Sequence, residues 1–157
     1  ERAHARLAKQ FFDHSIDRVY HALVWGNMDS DEGTVTGNIG RSLRDRMKMA
    51  VFPDGESGKH AVTHYRVLER LGYVNLLECR LETGRTHQIR VHMAYIGHPI
   101  LGDTVYGRKK PELGQSSQCL HAGALCFRHP RDGHPVMVFA ELPQYFRDVL
   151  DKLEKMK

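Results

Sequence analysis

The spacing of hydrophobic and polar positions predicts a series of short strands. Residues 19–25 are almost wholly apolar, as expected of a buried strand. Residues 34–39 predict a return strand that forms a hairpin with it. Residues 62–68 and 74–81 predict two more strands, which a short turn joins.

Three segments have the periodicity of amphipathic helices. In residues 2–14 the apolar positions recur at every fourth residue. A second helix is expected after Thr86, whose hydroxyl can cap it, and it ends at Gly97, since glycine favours the conformation that terminates helices. Pro143 begins a last helix, whose apolar residues lie on one face.

A last hairpin is predicted from residues 120–127 and 136–141. Because short turns join most of the strands, the sequence predicts an α+β fold with a mixed, largely antiparallel sheet flanked by helices. A length of 157 residues suits one domain with a core of its own.

Composition excludes several classes of protein. Hydrophobic residues make up 41% and charged residues 27%, as in ordinary folded domains, and no stretch is apolar enough to enter a membrane. The three cysteines, Cys79, Cys119 and Cys126, form no C-x-x-C pair and favour a reducing cytoplasm over a disulfide framework. Their spacing with His121 and His129 matches no zinc site, so no metal is expected.

The chain has a net charge of +4, and its basic residues are concentrated in three groups. The groups are Arg41, Arg44, Arg46 and Lys48; Arg80, Arg85 and Arg90 with His87 and His92; and Arg108, Lys109 and Lys110. A single charged run usually forms a solvated face. Three such groups in one small domain favour a surface that contacts phosphates.

The junction between a strand and a helix at residues 81–92 has the features of an anion site. Gly84 lets the backbone turn tightly, and the helix that follows presents free amides and the positive end of its dipole, with Arg85 beside it. Arg90 lies one turn into the helix, where a cation gains nothing from the dipole, so an acidic partner is expected for it. The alternative is a surface arginine balanced by a neighbouring acid.

Four motifs resemble those of one enzyme family, in sequence and in order. They are GRTHQIRVH at residues 84–92, GHPILGDTVYG at 97–107, DRVYHALVWG at 17–26, and the segment from LHA to FRHP at 120–130. Over essentially its whole length the chain resembles the RNA pseudouridine synthases, in the RluA-type branch that modifies large-subunit ribosomal RNA and some transfer RNAs. The resemblance implies the pseudouridine synthase catalytic-domain fold.

The resemblance also implies that uridine in RNA is isomerised to pseudouridine, with no cofactor and no metal. The base leaves C1′ of its ribose, turns, and is reattached through C5 with the help of a catalytic aspartate. Tyr20 matches the tyrosine that stacks against the flipped base, and Arg90 matches the arginine that pairs with the aspartate. Ile89 and Leu120 match apolar pocket positions. The predicted RNA and phosphate contacts are Arg85, Thr86, His87 and Gln88, together with Arg41, Arg44, Arg46, Lys48, Arg108, Lys109 and Lys110.

The aspartate motif of the family is missing from the sequence. It reads His-Arg-Leu-Asp followed closely by Thr-Ser-Gly, and neither residues 14–17 nor residues 43–45 match it. We therefore expect the 157 residues to be the C-terminal part of a catalytic domain whose aspartate lies upstream. Alone, they should be inactive and should expose an apolar flank where the upstream strands pack.

Two other classes of function fit the same residues. One is a non-catalytic RNA-binding module that keeps the surface of a synthase. The other is a nucleotide-binding or phosphate-sensing domain built on the helix N-terminus at Thr86, and it is less favoured because no Walker-type or dinucleotide-binding motif is present.

Overall fold

Most of the regular structure in the described part of the chain is β-strand. The computed structural model describes residues 17–108 and 117–156. In these ranges the chain forms eight strands and two helices. They are β1 (Asp17–Trp25), β2 (Glu32–Thr36), β3 (Asn38–Arg41), β4 (Met49–Phe52), β5 (Val62–Arg70), β6 (Val74–Leu81), α1 (Gln88–Tyr95), β7 (Leu120–Arg128), β8 (Pro135–Phe139) and α2 (Gln144–Met156).

Six of the strands form one sheet, in the order β2-β5-β6-β1-β7-β8, and every adjacent pair is antiparallel. Strands β3 and β4 form a separate two-stranded sheet. The predicted hairpins β5–β6 and β7–β8 are confirmed. The α+β fold with a largely antiparallel sheet is confirmed as well.

The central strand β1 contributes side chains to both faces of the sheet, because successive side chains alternate. Ala22 and Val24 join Met93 of α1 in one buried cluster. Leu23 joins Phe146 of α2 in another. This alternation places α1 on one side of β1 and α2 on the other.

The predicted hairpin between residues 19–25 and 34–39 is wrong. β1 pairs with β6 on one side and with β7 on the other, so neither edge is left for β2, which pairs with β5. The segment also divides at Gly37, because Val35 packs into the cluster beneath α1 whereas Ile39 joins a separate cluster beside β4. Burial between distant segments selects the strand partner here, and a local turn signal does not reveal it.

The start of α1 also differs from the prediction. Thr86 does not cap the helix; the capping residue is His87, in the left-handed conformation with a φ of 56°, and its side chain makes no capping hydrogen bond. The side chain of Gln88 reaches back instead. Its Oε1 accepts hydrogen bonds from the backbone N–H of Arg85 at 3.0 Å and from the hydroxyl of Thr83 at 2.7 Å.

The other helical predictions have different outcomes. Helix α1 ends before Gly97, which has a φ of 89°, as predicted. Helix α2 buries Phe146, Val149 and Leu153, which also agrees with the prediction. The helix predicted over residues 2–14 lies outside the described residues. Neither helix of the described part has the length and apolar character needed to cross a membrane.

Candidate active site

A cavity of about 350 Å³ lies where β1 and β7 meet the segment that enters α1. Tyr20 and Arg90, which the resemblance assigns to catalysis, and Ile89 and Leu120, which it assigns to the substrate pocket, all line it. Side chains from distant parts of the sequence therefore converge on one space. Two of the predicted phosphate contacts, Arg85 and His87, line it as well. Gln88 also lines it, but it is buried and its amide bonds within the chain, which contradicts its prediction as a phosphate contact.

Tyr20 reaches this cavity from the central strand. It lies opposite Cys79 of β6 and Ala122 of β7, and the ladder with β7 shifts between Val19 and Tyr20. The extra residue of this bulge, Gly123, lies on β7, and bulges of this kind are common beside active sites. The half-buried Tyr20 packs against the same apolar cluster as Leu120.

Arg90 is held in the cavity by a carboxylate of this chain, that of Asp103. Nε of Arg90 donates to Oδ2 of Asp103 at 2.8 Å, and Nη2 donates to Oδ1 at 3.1 Å. The side chains are 12% and 0% exposed, respectively. Oδ1 also accepts the backbone N–H groups of Val105 and Tyr106. The position of Arg90 in its helix predicted an acidic partner, and Asp103, which sequence reasoning did not single out, is that partner within the chain.

The charges of this pair stabilise each other. The hydrogen bond to Asp103 raises the pKa of Arg90, against the opposing effect of burial. Burial by itself would raise the pKa of Asp103, but the hydrogen bonds from Arg90 and from the backbone outweigh it and hold that pKa below its usual value. Both groups are therefore charged at neutral pH.

One edge of the Arg90 guanidinium is left for another anion. Asp103 engages Nε and Nη2, whereas Nη1 donates no hydrogen bond to any residue that the structure describes. A guanidinium fixed along one edge presents its remaining N–H groups in a known direction. The geometry can therefore bind and orient a second carboxylate or a phosphate at Nη1.

Tyr106 connects Arg90 to the β3–β4 hairpin. The guanidinium carbon of Arg90 lies 5.0 Å from the centre of the Tyr106 ring. The Tyr106 hydroxyl accepts the backbone N–H of Met49 at 2.9 Å and lies 2.8 Å from Nδ1 of His87. Burial and the positive charge of Arg90 hold the pKa of His87 below its usual 6.5. The hairpin and the cavity are thus linked through one side chain.

Buried polar side chains hold the turn that positions Arg85 and Arg90. Nε2 of Gln88 donates to the carbonyl of Val62 at 2.9 Å and to the hydroxyl of Thr63 at 3.0 Å. Together with the bonds to Thr83 and to the backbone of Arg85, these contacts use both ends of the amide. The entry into α1 is therefore fixed against β5.

His92 extends this network on the next turn of the helix. Its Nε2 lies 2.9 Å from the carbonyl of Gly37 and must donate to it, so Nδ1 accepts the hydroxyl of Thr63 at 2.9 Å. Burial lowers the pKa of His92, although the bond to Gly37 opposes the shift. The second histidine of the THQIRVH motif is thus a neutral structural residue.

Replacing Gln88 with leucine is expected to lower the free energy of unfolding by about 2–4 kcal/mol, because buried donors and acceptors on β5 and at the turn lose their partners. Urea unfolding of the chain measures the change. Tyr95→Leu, at a half-exposed position on the same helix, is the control and should change it by less than about 0.5 kcal/mol. Equal effects of the two substitutions would contradict the role of the network.

Arg18 is a cavity residue that sequence reasoning missed. It lies two residues before Tyr20 on β1, and side chains at this spacing share a face of a strand, so the signal was present. A Cβ at Gly84 would overlap the Arg18 guanidinium. Gly84 therefore allows the tight turn and also leaves space for the Arg18 guanidinium.

The first basic group lies beside the cavity rather than in it. Thr86 lines a second cleft together with Arg41 and Arg46, and Arg85 lines both spaces. The predicted phosphate contacts therefore surround two neighbouring spaces. Those on the β3–β4 hairpin and its turn are Arg41, Arg44, Arg46 and Lys48.

The third basic group is only partly described. The guanidinium carbon of Arg108 lies 3.8 Å from the centre of the Trp25 ring, which is a cation–π contact at the end of β1. Lys109 and Lys110 lie outside the described residues. That Lys109 and Lys110 contact phosphates therefore stays a prediction.

One cluster in the described part of the chain has metal-ligand residues at close range. The ligand atoms of His129, Asp132 and His134, on the turn between β7 and β8, lie within 4.8 Å of one another. The two imidazole rings stack with their planes 15° apart, Nδ1 of His129 accepts the backbone N–H of Arg131, and Asp132 accepts the backbone N–H of His134. Burial raises the pKa of Cys79 and of Cys119 to about 12, which keeps both thiols protonated.

The chain is similar to known proteins over most of its length. The family model described as RNA pseudouridylate synthase matches residues 1–95. The ribosomal large subunit pseudouridine synthase D of Zymomonas mobilis is 52% identical over 149 residues, which cover 90% of this chain and 46% of that protein. An uncharacterized RNA pseudouridine synthase of Bacillus subtilis is 47% identical over 153 residues, which cover 98% of this chain and 49% of that protein.

A solved structure shares the fold. The human protein RNA pseudouridylate synthase domain containing 1 matches 95% of this chain and 70% of its own chain, with a TM-score of 0.73 and 26% sequence identity. The chain spans about half the length of the curated relatives it matches. Because the family model covers more than half of its residues, the chain belongs to the RNA pseudouridine synthase family.

Proposed function

We propose that this chain is part of a cytoplasmic enzyme that isomerises specific uridines in RNA to pseudouridine, by detaching the base and reattaching it through C5. The observation that carries the proposal is the convergence of Tyr20, Leu120 and the fixed guanidinium of Arg90 on one cavity. The name of the Zymomonas relative supports large-subunit ribosomal RNA as the substrate, with transfer RNA as the alternative. Substrate and product contain the same atoms, so the reaction consumes no co-reactant.

Each side chain has a separate role in this proposal. Tyr20 presents a ring against which a uracil that has left its stack can pack. Ile89 and Leu120 form apolar walls that exclude water from the base. Arg90 holds the assisting carboxylate ionised and in one orientation, because a guanidinium favours the charged form of its partner.

Asp103 is a poor candidate for that carboxylate. It is fully buried, and both of its oxygens already accept hydrogen bonds, from Arg90 and from the backbone of Val105 and Tyr106. No Arg-Leu-Asp sequence occurs in the 157 residues. We therefore propose that the carboxylate belongs to a segment outside this chain and meets Arg90 at Nη1.

An exposed apolar edge supports this division of the site. β8 lies at one edge of the six-stranded sheet, and Met137, Val138 and Phe139 on it are all exposed. An edge strand with exposed apolar side chains pairs readily with another strand. We propose that the segment carrying the carboxylate packs on this edge.

Release of tritium from RNA that contains 5-tritiated uridine tests the proposal, because C5 loses its hydrogen when the base is reattached there. The 157-residue chain alone is expected to release none. A longer form of the protein that includes an Arg-Leu-Asp motif is expected to release it. Release by the 157-residue chain alone would contradict the divided site. RNA binding by both forms without release by either would favour the non-catalytic RNA-binding module.

A further inference from the structure

A second cleft, of about 660 Å³, lies between the β3–β4 hairpin and the turn that enters α1. Gly84 and Arg85 line both this cleft and the active-site cavity. The two spaces are therefore neighbours, and the Arg85 side chain lies between them. The proposed roles of Tyr20 and Arg90 leave the second cleft unused.

The floor of the second cleft is apolar. Ile39, Met49 and Phe52 line it, and Leu43 at its rim is 78% exposed. Glycine at position 40 leaves room for the Phe52 ring, since a Cβ there would lie 3.1 Å from a ring carbon. Apolar surface of this kind, beside an open space, gains free energy when a flat apolar group covers it.

The rim of the second cleft is cationic, and the described residues that line it include no acid. Its cations are Arg41, Arg46, Lys59 and Arg85. Nη1 of Arg41 donates to the carbonyl of Arg46 at 3.1 Å, and Nε of Arg85 donates to the carbonyl of His60 at 2.8 Å. Backbone carbonyls thus orient these two guanidinium groups without neutralising their charge. An apolar floor with a cationic rim is the combination that binds single-stranded nucleic acid, by base stacking and phosphate contacts together.

We propose that the second cleft binds the nucleotide next to the target uridine in the RNA, with its base against Phe52 and Leu43. This inference rests on the proposed function of the active-site cavity. Consecutive nucleotides share one phosphate, and Arg85 is the cation that the two spaces share. The phosphate that joins the two nucleotides therefore lies at Arg85, and the outer phosphate lies at Arg46 or Lys59.

This arrangement restricts the RNA that the site accepts. Two consecutive bases must leave the base stack of the RNA, one to enter the active-site cavity and the other to enter the second cleft. Unstacking costs least where the bases are unpaired. The two spaces therefore select an unpaired loop over a continuous stem, without reading the sequence of the RNA.

Binding of two fluorescently labelled RNAs to the chain tests the inference. One is a heptamer of uridine, and the other is the same heptamer with every second base removed. Both carry the same phosphates, so their electrostatic attraction is equal at one salt concentration. Only the first can place bases in both spaces in any register. We expect the second to bind about tenfold more weakly.

Leu43→Ser is the informative variant, because the exposed Leu43 can be changed without unfolding the chain. It should weaken binding of the full heptamer about fivefold and change binding of the alternately abasic heptamer by less than about twofold. Tyr73→Ser is the matched control: Tyr73 is 75% exposed on the turn between β5 and β6, and its loss should affect neither RNA.

The outcomes separate this inference from the proposed function. If Leu43→Ser changes neither affinity while Tyr20→Leu weakens both, the active-site cavity binds a base and the second nucleotide site is wrong. Equal weakening of both RNAs by Leu43→Ser would also overturn the second site, since it would reflect phosphate contact alone. If neither substitution changes the affinity for either RNA, both the inference and the proposed uridine pocket are wrong.

Discussion

Replacement of Arg90 with methionine, in the longer form of the protein that carries an Arg-Leu-Asp motif, is expected to lower turnover of uridine by at least about 10²-fold. The same change should alter the affinity for RNA by less than about threefold. Methionine fills a volume similar to that of arginine, but it has no N–H group that could hold a carboxylate. The affinity depends instead on phosphate contacts that are spread over several basic residues.

Tritium release under saturating RNA measures the turnover, and filter binding measures the affinity. The control is a double variant, Arg90→Met with Asp103→Asn. Asparagine keeps an oxygen for the backbone N–H groups of Val105 and Tyr106 and removes the buried charge that Arg90→Met leaves unpaired. The double variant should recover stability but not turnover. Recovery of turnover would show that Arg90 has a structural role only, and equal losses of turnover and affinity would identify it as a phosphate contact.

Replacement of Asp103 with alanine is expected to lower the free energy of unfolding by about 3–5 kcal/mol. The Arg90 guanidinium would then keep its charge in a site that leaves its side chain only 12% exposed. Two backbone N–H groups, those of Val105 and Tyr106, would lose their acceptor as well. For a chain of this length the melting temperature should fall by roughly 10 °C.

The pH dependence of this loss has a definite sign. The pKa of Asp103 in the folded chain lies below its usual value of 3.8, so its contribution to stability is complete above that value and is lost as the pH falls through the folded pKa. The difference between wild type and Asp103→Ala should therefore be full at pH 7 and should shrink below about pH 4. Urea unfolding at both pH values measures it.

The matched control for this measurement is Asp31→Ala. Asp31 also pairs with an arginine, Arg70, at 3.1 Å, but its side chain is 90% exposed. An exposed ion pair contributes about 0–1 kcal/mol. If Asp103→Ala destabilises the chain no more than Asp31→Ala does, burial adds nothing to the Arg90–Asp103 pair and the role assigned to it is wrong.

The active-site cavity combines features that the local sequence predicted with one, the partner of Arg90, that it did not. The residues from Gly84 to Arg90 are close in sequence, and their order alone predicted a turn, a helix entry and an arginine in need of an acid. Asp103 follows thirteen residues after Arg90, in a loop whose path the sequence pattern does not specify. The spacing from Asp103 to Tyr106 indicates a turn in which the aspartate accepts backbone N–H groups, but it says nothing about a guanidinium. The pair exists because the loop folds back over α1.

The convergence of Tyr20 and Leu120 on Arg90 is a second case of this kind. Neither periodicity nor charge indicated that these residues meet; the resemblance to a known family did. The cap of α1 is a third case, since Thr86 has the right chemistry for a cap, yet buried bonds from Gln88 to β5 leave His87 in that position.

The amino-acid sequence by itself determined which segments of the described chain become the long strands and helices. Residues 62–68 and 74–81 became β5 and β6, and the apolar face of α2 is buried as its periodicity requires. Periodicity is a local property of the sequence. It indicates only that the apolar face of a helix or strand must be buried. The tertiary structure alone decided what covers it: β6 and β7 flank β1, β2 pairs with β5, and Asp103 holds Arg90. The physical reason is that apolar burial and charge pairing between distant segments gain free energy only once the whole chain is folded, so no single segment can specify its partner.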